Sequence, residues 1–279
     1  DGPRGRIYLI KQVLEGGPVT AKTQLHLDRC LTCRSCETTC PSGVQYGRLV
    51  DIGRRIVEDR VGRSPADAAR RWSLRKGLQS KLLFGGALAI GRIAKAFVPA
   101  ELARGIPGSR PAGAWPAPRH GRRMLSLAGC VQPAIAPAID AALARVLDRV
   151  GISLVRVSGG GCCGALPLHL NEHDEAQAMA RANVDAWWPH VEAGVEAIVV
   201  TASGCGVMVK DYGHLLARDA AYAAKAGRIA ALARDTVEVV APEWKKIAPL
   251  VAMDQGPKRV AFHPPCSLQH GMRIRGEVE

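Results

Sequence analysis

The sequence predicts an α/β protein in two parts: a small, mostly helical segment that carries a metal-binding cysteine run, then a parallel β-sheet covered by helices. Three observations predict it. Four cysteines, Cys30, Cys33, Cys36 and Cys40, fall within "CLTCRSCETTCP". From Arg122 onward, short apolar runs alternate with helical patterns. Five further cysteines each stand just beyond the carboxyl end of one of those runs.

Asp1–Gly2–Pro3 opens a helix to about Glu15, with Ile7, Ile10, Val13 and Leu14 on one face, and Gly16–Gly17–Pro18 ends it. The cysteine run follows, then a second helical pattern from Val44 to about Arg60. In "RRWSLRKGLQSKLLFGGALAIGRIAKAF", Leu83, Ala87, Ile90, Ile93 or Ala94, and Phe97 recur at helical spacing beside Lys81, Arg92 and Lys95. Its apolar run is about half the length a membrane span needs. The favoured reading is a helix packed on the body, and the sharper one a helix lying at a membrane interface. Residues 105–123, rich in Pro and Gly, read as a linker.

Strands are expected at "RMLSLA", "ISLVRV", "EAIVVTA" and "KRVAFH" (258–263). Helices are expected at about 133–150, 171–188, 207–217 and 219–234. Apolar strands alternating with helices imply a parallel sheet buried on both faces. Cys130 follows the first strand, Cys162 and Cys163 the second, Cys205 the third and Cys266 the fourth. In open parallel sheets that edge binds ligands, so Cys130, Cys162, Cys163 and Cys205 are expected to converge there on a metal centre. "RRMLSLAGCVQ" and "KRVAFHPPCSLQ" share a basic pair, an apolar strand and a Cys at the same offset, which reads as a duplicated module.

C-x2-C-x2-C-x3-C-P is an iron–sulfur signature. On that pattern Cys30, Cys33 and Cys36 hold one cubane and Cys40 reaches a second. Zinc and free thiols are the competing readings, but zinc sites pair separated knuckles or add histidines, and His26 alone does not supply that. Gly159, Gly161 and Gly164 in "GGGCCG" fit a dinucleotide fingerprint, yet Pro167 interrupts the expected helix and Asp185 lies mid-helix. A vicinal Cys162–Cys163 disulfide is a further alternative. His263 reads as a packed polar residue in preference to a donor behind a metal ligand, and Trp187 and Trp188 as core or interface.

The nine cysteines are clustered and odd in number, which opposes a secreted disulfide framework. "DGPRGRIYLIKQ" lacks both a signal-peptide core and an initiator Met. The second cysteine run that Cys40 requires is absent, and the duplicated module stops early, so a chain cut at both ends is expected. Residues 1–123 hold 23 Lys/Arg against 9 Asp/Glu, whereas residues 124–279 hold 15 against 16. That asymmetry points to an anionic partner, a lipid surface or an acidic subunit. Nucleic acid is not expected, because no zinc-finger His pair or RNA-stacking motif is present.

The cysteine run, the linker and then "GC…GCCG…SGCG…HPPC" resemble the iron–sulfur subunits of glycolate oxidase. "GGGCCG" with "HPPCSLQHG" carries most of the resemblance. The chain is also similar to the C subunit of anaerobic glycerol-3-phosphate dehydrogenase and to heterodisulfide reductase subunits. The resemblance implies a partial ferredoxin-type 4Fe–4S domain (1–60), a basic helical and Pro/Gly linker (61–122), a first cysteine-rich CCG domain (123–257) and the start of a second (258–279). It implies Cys30, Cys33, Cys36 and Cys40 as cubane ligands, with two 4Fe–4S clusters in the complete domain. Cys130, Cys162, Cys163 and Cys205 fill the first CCG motif, with a further cluster there, and Cys266 opens the second motif. The fuller heterodisulfide-reductase motif ends in C-x-x-C. Here Cys205 stands alone, with Ala202 and Met208 at the flanking places, so an ordinary four-thiolate cluster fits better than a five-cysteine one. The implied role is electron transfer from FAD-containing glycolate oxidase subunits, with no catalytic residue on this chain, in the cytoplasm or peripheral on the inner membrane. A glycerol-3-phosphate dehydrogenase subunit or a catalytic disulfide reductase is the alternative.

Overall fold

The computed structural model describes residues 2–251, 259 and 261–278. The chain opens on helices α1 (Pro3–Leu14), α2 (Ala21–Asp28), α3 (Ser35–Thr38) and α4 (Tyr46–Val61). Pro3 starts α1, where its missing N–H costs nothing. A reciprocal Thr20–Thr23 capping box starts α2. Ile10, Val13, Leu27, Val50 and Val57 form the core of this unit. Gly53 lets α1 close on α4, since a Cβ there would stand 2.7 Å from Ile10 Cγ1. Leu14, expected on the buried face, is exposed because α1 ends at it.

Helices α5 (Pro65–Gln79), α6 (Lys81–Ala94) and α7 (Ala100–Gly105) follow. Arg75 of α5 pairs with Glu172 and Glu175, and Lys76 with Glu175. Part of the basic excess is therefore neutralised by the chain's own second half. Helix α6 rests on the body, but with a different face from the one expected: Leu83, Ala87, Ile90 and Ile93 are exposed, while Phe84 and Leu88 are half-buried. It touches α5 and the turn after the first strand, but none of its side chains is buried. Leu82 and Ile93 are 84% and 73% exposed, and Phe97 just beyond is 86% exposed.

The sheet is built from β1 (Arg122–Ser126), β2 (Ile152–Arg156), β3 (Ala197–Val200) and β4 (Ala233–Asp235), in the order β2-β1-β3-β4 and parallel throughout. Between them run α8 (Gln132–Ile135), α9 (Ala138–Arg149), α10 (Ala165–His169), α11 (His173–Glu192), α12 (Ser203–Lys210), α13 (Tyr212–Leu215) and α14 (Ala223–Leu232), with α15 (Thr236–Val240) after β4. The sheet is covered on both faces, as the continuous apolar strands require. Leu125, Val184, Trp187, Ile198, Tyr212 and Ile229 fill one side. Leu143, Leu147, Ile152, Leu154 and Val199 fill the other.

Three expectations are corrected. The helix at 133–150 is broken, because Ala136 precedes Pro137 and takes an extended φ of −142°. The stretch at 219–234 ends in a strand: Ala233–Asp235 pairs with Ile198–Val200 as β4. The strand expected at 258–263 falls partly outside the described residues, and 259 and 261–263 form no strand. The later part of the linker is tied down. Trp115 Nε1 donates to Leu154 O at 3.0 Å, and the amides of Arg119 and His120 donate to buried Ser153 Oγ.

Candidate iron–sulfur sites

The first site is the loop between α2 and α4. Thr32 and Arg34 adopt left-handed φ values of 51° and 59°, folding the loop back on itself so that Cys30, Cys33 and Cys36 share one electrostatic neighbourhood. Burial, then the charges of Glu37, Cys30 and Cys33, push the Cys36 thiol up. Cys40 is held differently. The backbone N–H groups of Val44, Ser42 and Gly43 aim at it and keep its pKa below the ordinary thiol value. Arg54, buried in α4, donates to Leu27 O at 2.9 Å and to Cys30 O at 2.6 Å, pinning the start of the loop. Tyr46 Oη is buried against Cys30, within reach of its thiol; burial first, then the Cys30 thiol, push the phenol up. A buried hydroxyl donor beside a thiol suits a site that gathers negative charge on sulfur.

Asp51, on the same helix, has a carboxyl oxygen buried without a partner, and burial lifts its pKa to about 6. The fold therefore disfavours its charged form. This contribution to stability is greatest below the unfolded value of about 4 and is lost as pH rises through about 6. Asp51→Asn is expected to gain on the order of 2 kcal/mol over the native protein between pH 4 and pH 7. Urea unfolding of both proteins across that range checks it. A difference that does not grow with pH refutes it.

The second site lies at the carboxyl edge of the sheet. Cys130, Cys162, Cys163 and Cys205 line one cavity of about 420 Å³ with Leu127, Ile139, Leu166 and Val200. Their thiols form a chain of contacts, Cys130 to Cys162, Cys162 to Cys163 and Cys163 to Cys205. For Cys130, the contact with Cys162 and then burial push the thiol up. For Cys162, the contact with Cys130 acts downward, but Cys163 and burial outweigh it and the thiol rises to about 11. All described cysteines are free thiols, so the vicinal disulfide is not formed. Among the described residues, no three His, Cys, Asp or Glu side chains are arranged to hold one metal ion. A polynuclear cluster makes a different demand, since it spreads its thiolates over separate irons. Soft thiolates in an apolar cavity suit iron–sulfur better than a hard, oxygen-seeking cation.

The backbone around Cys162 and Cys163 is held by Asn183 and Tyr212. Asn183 of α11, fully buried, accepts from Gly161 N at 2.8 Å and donates to Cys162 O and to Tyr212 Oη, each at 2.9 Å. Tyr212 Oη donates in turn to Cys163 O at 2.8 Å. Every member of this buried network is satisfied, which fixes a single conformation of the loop. An Asn inside an apolar helix face was the available signal. Gly164 closes the loop at φ +89°, with the Ala176 carbonyl only 3.0 Å from where a Cβ would stand. Asp185 is exposed and bonded to Tyr222, and α10 is only five residues long, so the dinucleotide reading finds no support.

Cys266 is exposed and stands apart from these four, lining a separate cavity with Cys33 and Arg34. The turn after it, Ser267–Met272, packs on α12 and α3, through Ser203–Ser267 and Thr38–His270 contacts of 2.7 Å each. His263 is exposed rather than packed, whereas His270 is half-buried beside Thr38. Trp187 is buried against Tyr212, and Trp188 lies under the Lys225 ammonium.

Residues 124–210, which hold all four cysteines of the second site, match the cysteine-rich CCG domain family. The chain is 51% identical over 282 residues to the glycolate oxidase iron–sulfur subunit of Escherichia coli (strain K12), covering all of this chain and 68% of that protein. The chain belongs to this iron–sulfur subunit family. It is also 28% identical over 271 residues to the probable glycolate oxidase iron–sulfur subunit of Bacillus subtilis (strain 168), covering 85% of this chain and 59% of that relative. No solved structure matches it. Among the described residues, no helix is long and apolar enough to cross a membrane.

Proposed function

We propose that this chain is the electron-transfer subunit of a glycolate oxidase. It takes electrons from a flavoprotein subunit that oxidises glycolate to glyoxylate and passes them towards the respiratory chain. The 51% identity to the Escherichia coli subunit over the whole of this chain carries the reading. Bound iron–sulfur clusters would supply one-electron carriage at two sites. Cys30, Cys33 and Cys36 hold the first, and Cys130, Cys162, Cys163 and Cys205 hold the second, in the cysteine-rich domain. Cys40, in its own cradle of amides, serves another cubane, and Cys266 opens a second CCG motif. This chain's remaining residues set the surroundings: Arg54 and Tyr46 supply positive charge and a donor beside Cys30, while Asn183 and Tyr212 hold the CC loop in place. The chemistry on glycolate, and the FAD, belong to the partner subunits.

Anaerobic reconstitution of the complete protein should give iron and acid-labile sulfide together, and glycolate-dependent dye reduction that requires both this subunit and the flavoprotein. Stoichiometric zinc without sulfide, or dye reduction by the flavoprotein alone at the full rate, overturns the reading.

The exposed apolar face of α6, flanked by Lys81, Arg92 and Lys95, supports peripheral attachment at the cytoplasmic face of the inner membrane. Ile90→Glu with Ile93→Glu is expected to abolish co-sedimentation with anionic vesicles while leaving the fold intact, because neither side chain is buried. Unchanged sedimentation of the double variant refutes attachment through α6.

A further inference from the structure

We propose that the Arg34–Asp211 ion pair is the positioning contact that docks the cysteine loop of the first site onto α12, and that it balances charge beside that site's iron–sulfur centre. The inference rests on the reading of Cys30, Cys33 and Cys36 as ligands of such a centre.

Arg34 lies between Cys33 and Cys36 in sequence. Its left-handed backbone caps α3, and its side chain leaves the loop to pair with Asp211 on the other half of the molecule. The side chains are 21% and 28% exposed, so water screens the pair only in part. Asp211 is the C-cap of α12. A carboxylate at a helix C-terminus meets the negative end of the helix dipole and is unfavourable without a cation. Arg34 supplies the cation. Cys205 stands in the first turn of the same helix. The eight residues of α12 span only about 12 Å. One short rigid rod thus carries a ligand candidate of the second site at one end and the anchor of the first site at the other. A further link between the cysteine loop and α12 runs indirectly, through His270 and Ser267 of the intervening turn.

The charge argument gives a sign. A guanidinium beside an iron–sulfur centre favours the reduced, more negative state and raises its potential. Asp211 offsets that charge. Asp211→Asn should therefore raise the midpoint potential of the first-site centre, Arg34→Gln should lower it, and the double variant should return close to the native value. A purely structural contact would not move the two single variants in opposite directions.

The test has two arms on the full-length protein. In the first, anaerobically reconstituted native, Arg34→Gln, Asp211→Asn and double-variant proteins are titrated by electron paramagnetic resonance. Opposite shifts at unchanged iron and sulfide content support the proposal. Shifts in the same direction, or none, overturn the charge role. In the second, the cluster-free forms of the same four proteins are unfolded in urea, and amide exchange is followed in α12 and residues 30–40. Coupled losses of stability, with faster exchange in both segments, support the docking role, whereas additive losses overturn it. If the native protein binds no iron at Cys30, Cys33 and Cys36, the ligand reading and the charge role fall together, and the second arm still decides whether the pair docks the loop.

Discussion

Cys36→Ser is expected to remove the iron of the first site and abolish glycolate-dependent electron flow, while the flavoprotein partner keeps its flavin. Cys36 is half-buried and shares its electrostatic neighbourhood with Cys30 and Cys33. A serine hydroxyl ionises far less readily than a thiol, and the thiolate is the form that binds metal. With Cys40 held apart by the amides of residues 42–44, no spare thiol in the loop replaces the lost one. The fold should survive, because the core of this unit rests on Ile10, Val13, Leu27, Val50 and Val57 rather than on the loop. Iron and sulfide analysis with circular dichroism checks both halves of the expectation. Unchanged iron content in a folded variant refutes Cys36 as a ligand.

Gly164→Val is expected to cost about 3–5 kcal/mol, a large share of a domain's stability. Two penalties add there. The φ of +89° is strained for any residue with a Cβ, and most of all for a β-branched one. The new side chain would also press on the Ala176 carbonyl, a backbone atom of α11 that cannot swing away. Gly161→Ala, three residues earlier, is the control. Nothing lies within 4 Å of its Cβ position and its φ is not positive, so it should cost under about 1 kcal/mol. Urea midpoints of the two variants measure the contrast. Equal losses would show that the third letter of the CCG signature is not set by backbone geometry.

The expectations that held rest on local signals. The close spacing of Cys30, Cys33 and Cys36 leads one to expect them in one neighbourhood, and the fold places them there. The first three strands were legible because a strand buried on both faces reads as an unbroken apolar run, as in Ile198–Val200. Once the strands were placed, connectivity carried Cys130, Cys162, Cys163 and Cys205 to the same edge, since parallel strands end on one side.

Other features had no local signature. β4 is three residues long, too short to show any period, and exists because β3 offers it a pairing edge. α6 has the pattern of a packed helix, but pattern gives only the apolar face; what covers that face depends on where the rest of the chain lies, and here Leu83, Ile90 and Ile93 stay open. Asn183 and Tyr212 reach the CC loop from 21 and 49 residues away in sequence. Arg34 meets Asp211 across 177 residues. Residue order alone is enough to read the cysteine spacing and the sheet edge, because covalent spacing and side-chain periodicity act over a few residues. Which polar groups hold those cysteines in place, and which charges stand beside them, is visible only in the folded chain, because burial and ion pairing depend on distances in space that residue order does not encode.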